Sequence, residues 1–255
     1  MLQGINIFDF YVGVELRRWN NADIKEYCVI FANIALPPFV TVSQTISTQA
    51  TVKLINESSG LAEYTKTVAL SDSNVSGFKN LVFNDSTPIN VACGYYSYEV
   101  TIGVSKYYSE VFGMTDDFTN LVKFEVSSEN VTLSGIYELP LTGINNVFYL
   151  YCNGVSITAE VQEEGVEKPY GDIPIFSTLN IIRTISVNGT NQIFRYISLL
   201  RILSVNGSVY VTVNNEKKAI YDTSCEVDND NSFGVYMQLN FIYKETDFVS
   251  VRNEI

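Results

Sequence analysis

The residues of this chain best suited to chemistry are carboxylates. Asp116 with Asp117, Glu163 with Glu164, and Asp228 with Asp230 form three close acidic pairs. Two carboxyls facing each other across a sugar can cleave a glycosidic bond, one as the acid and the other as base or nucleophile. All three pairs fall in stretches that read as loops or turns, where acids are ordinarily solvated. Closeness in sequence does not place two carboxyls across a substrate. The chain has no histidine, which excludes Ser-His-Asp and Cys-His catalysis and the two-histidine zinc helix. It also has no Gly-Lys-Ser phosphate loop, no Gly-rich dinucleotide turn and no serine elbow. Carboxylates, Lys, Tyr and Cys remain for acid–base work. No catalytic, cofactor-binding or metal-binding residue is assigned, and the expectation is a protein that is not an enzyme and needs no cofactor.

Metal sites are equally poorly supported. Asp228-Asn229-Asp230-Asn231-Ser232 looks like the start of a calcium loop. Its glycine arrives one place late, at Gly234, and Leu239 stands where the closing bidentate Glu is needed. A tight hairpin turn accounts for the same residues, since Asp and Asn tolerate left-handed backbone. Cys28, Cys93, Cys152 and Cys225 show no short knuckle or redox spacing. Their mostly apolar or aromatic neighbours predict four buried free thiols. Disulfides would require an oxidising compartment.

The elements that must hold these residues read as β. Tyr, Phe, Val and Ile dominate the apolar set, and such side chains suit a pleated, half-buried surface. Residues 50–55 alternate apolar with polar, a turn follows at 56–60, and 61–70 reads as the returning strand. Residues 78–83 form a short strand. Tyr96, Tyr98, Val100 and Ile102 alternate cleanly with Ser97, Glu99 and Thr101. The tyrosines could stack on sugars, but at period two they read first as core or interface residues. Residues 24–34 fit a helix by spacing and a strand by composition, and both readings stay open. Asn153-Gly154 reads as a hairpin turn between strands at 147–151 and 155–161. Residues 191–203, capped by Thr190, read as one short helix.

These elements predict a mainly β chain of two β-rich domains. An N-terminal arm covers 1–38. A small immunoglobulin- or fibronectin-like β-sandwich covers 39–113. A second β-rich domain with the short helix covers 118–255. The polar stretch 113–117 is the expected exposed hinge. The net charge of −12 argues against gripping nucleic acid and against anionic membrane surfaces. It leaves open a wall past which DNA slides, as well as simple solubility. The start of the chain has neither a basic region nor a small-residue cleavage site, so synthesis and folding in a cytosol are expected. No apolar run reaches the roughly 18 residues of a membrane span.

One stretch goes beyond composition. Tyr95-Tyr96-Ser97-Tyr98-Glu99-Val100-Thr101-Ile102, followed by Tyr107-Tyr108-Ser109-Glu110-Val111-Phe112, resembles the end of a β-sandwich domain in virion proteins of crAss-like tailed phages infecting gut Bacteroides. The order of the later segments, from strand pair and acidic loop to short helix and hairpin, is similar too. The resemblance spans residues 39–244, and its sharpest motif is Tyr107 to Phe112. The segment before Phe39 has no match. The resemblance implies a neck, tail-ring or baseplate subunit located in the virion. Its partners would be further copies in a ring and other virion proteins, and it would carry no catalytic residues. A carbohydrate- or receptor-binding module is the alternative.

Overall fold

The computed structural model describes residues 10–12, 28–128, 132–133, 139–140, 144–162, 176–189, 208–227 and 237–251. Every regular element among them is a β-strand. The first part holds β1 (Phe10–Val12), β2 (Ile30–Ala32), β3 (Phe39–Gln44), β4 (Gln49–Asn56), β5 (Ala62–Ala69), β6 (Ser71–Asp72), β7 (Phe78–Phe83), β8 (Gly94–Ile102), β9 (Ser105–Ser109) and β10 (Phe112–Thr115). The second holds β11 (Leu121–Ser128), β12 (Thr132–Leu133), β13 (Leu139–Pro140), β14 (Ile144–Gln162), β15 (Phe176–Gly189), β16 (Ser208–Val213), β17 (Glu216–Val227) and β18 (Met237–Val251).

Alternation builds the first part as expected. In β4, Ala50, Val52 and Leu54 are buried while Thr51 and Lys53 are not. At the β4–β5 turn the Asn56 side chain accepts from the Ser58 and Ser59 amides. The sheet β3-β7-β6 faces a second sheet in which β8 pairs with β4, β9 and β10. Aromatic rings fill the space between. Phe39 lies 5.1 Å from both Phe83 and Tyr98, and Tyr98 lies 5.3 Å from Phe112. Tyr98 is fully buried and its hydroxyl donates to the Pro37 carbonyl at 2.9 Å. Tyr96 and Tyr98 belong to the core.

The second part is a closed antiparallel barrel of six strands. β14 pairs with β11, β11 with β16, β16 with β17, β17 with β18, β18 with β15, and β15 returns to β14. Closure removes the exposed sheet edges that invite aggregation. Inward-facing positions alternate along each strand. Phe124 and Val126, Phe148 and Leu150, Ile185 and Val187, Val209 and Val211, Ile220, and Phe241 with Tyr243 are all at most 8% exposed. Phe124 contacts Phe148 at 5.5 Å and Phe241 at 4.6 Å between ring centroids. The β16–β17 turn at Asn214-Asn215 has φ of 49° and 65°, the doubly left-handed geometry that matches strand twist.

Two expectations change. Asn153-Gly154 is not a hairpin turn. It lies within β14, where the register shifts between Cys152 and Gly154. The first half of β14 pairs with β11 and the second half with β15, so the irregular dipeptide serves as a bulge at a barrel corner. Nor do residues 113–115 form an exposed hinge. Gly113 and Met114 are buried in β10, which pairs antiparallel with β8 and parallel with β2. Because β2 also pairs with β14, one hydrogen-bonded sheet runs from the first part into the barrel. For residues 24–34, 30–32 are strand. The segments 163–172 and 191–203 and the Asp228 turn lie outside the described residues.

Candidate interaction surface

Among the acidic pairs, Asp116 and Asp117 are neighbours in the exposed β10–β11 connection. Asp116 accepts from the Cys93 thiol at 3.0 Å. Asp117 accepts from the Thr119 hydroxyl at 2.6 Å and its amide at 3.0 Å, and these bonds lower its pKa. That is a local turn stabilised by a side chain. Glu163, Glu164, Asp228 and Asp230 lie outside the described residues. Among the described residues no three His, Cys, Asp or Glu side chains gather as a metal site would need. The expectation of buried thiols fails at Cys93, which is exposed, and at Cys28 and Cys152, which are half-buried. Cys93 sits in the connection from β7 to β8, where apolar neighbours in sequence do not bring burial. Cys28 lies against Gly113, and burial pushes its thiol up to about 12.

Two carboxylates that sequence reading left among solvated positions are buried. Asp85, in the connection after β7, receives the Tyr64 hydroxyl, the Lys66 ammonium at 2.8 Å, and the Thr87 hydroxyl and amide. Burial pushes its pKa up, but the bonds from Lys66, Tyr64 and Thr87 outweigh that and hold it well below the usual carboxylate range. The side chain is 4% exposed. Tyr64 and Lys66 come from β5 and Asp85 from beyond β7, so the cluster ties the two sheets together. Glu99 is 7% exposed on β8. Burial opposes its charge, and Lys53 at 3.1 Å, Lys106 at 3.3 Å and the Tyr108 hydroxyl at 3.1 Å lower its pKa nonetheless. A general acid or base works best with a pKa near the operating pH. Both groups are shifted the other way and act as anionic staples.

The outer face of the barrel has a different character. Lys123 and Glu125 on β11 and Val147 and Tyr149 on β14 point outward, opposite buried Phe124 and Phe148. Tyr149 stands across from Lys123, and Val147 across from Glu125. Glu125 in turn stands across from Tyr210 on β16. Phe118 packs on Tyr149 with ring centroids 4.4 Å apart, yet stays 39% exposed, and Val147 is 40% exposed. Lys123 and Lys217 both bond the Glu125 carboxylate, and these two bonds hold its pKa low. The Lys217 ammonium also lies over the Tyr210 ring, 4.2 Å from its centroid, a cation–π contact. Rigid, partly exposed aromatic rings beside an ordered ion network have the make-up of a protein contact patch. Ile46 and Val104, 96% and 101% exposed, form a smaller apolar tip. There Gly103, with φ of 61°, has its Cβ position 3.1 Å from the Ser47 hydroxyl, so the two loops touch. No protein-family model matches the chain, and comparisons with characterised proteins and with solved structures give no match.

Proposed function

We propose that the chain is a structural subunit of a tailed-phage virion, a neck, tail-ring or baseplate component that works through protein–protein contacts. The reading takes its first part as an immunoglobulin- or fibronectin-like sandwich and its second as the barrel, two β-rich units joined through β10 and β2. The observation that carries it is the outer barrel face, where Phe118, Tyr149 and Tyr210 surround the Lys123–Glu125–Lys217 network. Interface cores favour aromatic side chains over isolated charges. The Tyr107 to Phe112 motif supplies the phage context.

The test is protein content of purified particles from the phage that encodes the chain. A subunit is present at a fixed copy number and resists a high-salt wash, and absence from the particle overturns the reading. A second reading, a carbohydrate- or receptor-binding module, draws on the same Phe118–Tyr149 pair, because exposed aromatic faces also stack on sugars. Specific binding on a glycan array, lost in Tyr149→Ala, would favour it.

A further inference from the structure

Resting on the reading of the outer barrel face as a contact surface, we propose that this face pairs with its own counterpart on a second copy of the chain across a two-fold axis. An isologous contact needs a patch that is its own complement. Across this face the order is acid, aromatic, base. Asp116 and Asp117 follow β10, and Asp116 takes the Cys93 thiol, on the side of β14 where β2 and β10 lie. Phe118 and Tyr149 occupy the middle. Lys123 stands across from Tyr149 on β11, and Lys217 lies two strands further on, across β16. In strand order the lysines lie on the β11–β17 side of Tyr149, Lys123 only one strand spacing of about 4.8 Å away, and Asp116 on the β10 side. Lys123 and Lys217 outnumber Glu125, so the basic end keeps a net positive charge on a chain of net charge −12. Half a turn about an axis through the aromatic pair sets each acidic end against the other copy's basic end and stacks ring on ring. The overall negative charge opposes association, so the contact depends on this local pairing within a Debye length of about 8 Å.

Sedimentation velocity over roughly 1 µM to 1 mM protein tests it with the whole chain, Asp116→Lys, Lys217→Glu, and an equimolar mixture of the two variants. The unaltered chain is expected to form dimers as concentration rises. Each single reversal sets like charges opposite each other twice and should weaken association at least about tenfold. The mixture should restore it, because each altered residue then meets a complementary one. Circular dichroism melts identify any variant that has lost its fold, and recovery in the mixture excludes a folding defect as the cause. A strict monomer at every concentration overturns the proposal. So does association that neither reversal changes, or a mixture no better than the single variants. Each of these leaves the virion reading standing, since that is decided by the protein content of particles.

Discussion

Gly113 stands directly opposite Ile30 in a parallel strand pair, and a Cβ added to it would lie 3.3 Å from Ile30 Cγ1 and 3.7 Å from the Cys28 sulfur. The glycine lets β2 approach β10 closely enough to carry the sheet from the first part into the barrel. Gly113→Ala should therefore destabilise the fold by about 1–3 kcal/mol through overpacking, and Gly113→Val by more. Urea unfolding measures both. A neutral alanine variant would mean that β2 yields at no cost. Limited proteolysis should also spare residues 112–115 while cutting elsewhere in exposed loops.

The Tyr64–Asp85–Lys66 cluster makes stability depend on acid. Asp85 is depressed in the fold below the value of about 3.9 expected for an unfolded chain. Its contribution is then complete above that pH and is lost as the pH falls through the folded value. Asp85→Asn should cost about 2–3 kcal/mol near neutrality, from lost charge-assisted bonds. The gap between the two melting temperatures should narrow as the pH drops from about 5 toward about 2. A gap that stays constant across that range would show that Asp85 contributes by shape alone.

Sequence patterning made the first part largely legible. The alternation of Ala50, Val52 and Leu54, and of Tyr96, Tyr98, Val100 and Ile102, matches the buried faces of β4 and β8. Period two tells which side chains turn inward, but not which strand lies alongside. Barrel closure rests on distant pairings such as Phe124 with Phe148 and Ile185 with Phe241, and no local signal announces them. Asn153-Gly154 marks a backbone irregularity correctly, but a turn and a bulge share that preference. Asp85 lies in a run of turn residues, and only Tyr64 and Lys66, three strands earlier, reveal its burial. The outer barrel patch was invisible for the same reason. Phe118, Lys123, Tyr149, Tyr210 and Lys217 are scattered in sequence and meet only through the register of four strands.

Cys93 and Cys28 should separate by reactivity. Cys93 is exposed, whereas the half-buried Cys28, its thiol desolvated and pushed up to about 12, holds almost no thiolate near neutrality. Mass spectrometry after brief labelling of the native protein with a thiol reagent should find Cys93 modified well before Cys28. Equal rates would show that the strand pair around Gly113 opens readily.

Tyr98 and Ser43 offer a contrast between used and idle buried hydroxyls. Tyr98→Phe removes the bond to the Pro37 carbonyl and should cost about 1–2 kcal/mol. The Ser43 hydroxyl is buried with no hydrogen-bond partner among the described residues, so Ser43→Ala should be neutral within about 0.5 kcal/mol or mildly stabilising. Chemical denaturation of the two variants checks both. A large loss in Ser43→Ala would reveal a partner supplied by water.

The claim that the outer barrel face is an assembly contact is tested most directly by amine labelling of Lys123 and Lys217, read by mass spectrometry. Intact purified particles are compared with dilute free protein under the same conditions. Both lysines keep solvent-exposed side chains in the isolated chain, at 36% and 50%. The account predicts that the free protein labels at both positions and that the particle protects them, while Lys106 on β9, 52% exposed, serves as the reference. Equal labelling of Lys123 and Lys217 in particle and free protein would contradict it.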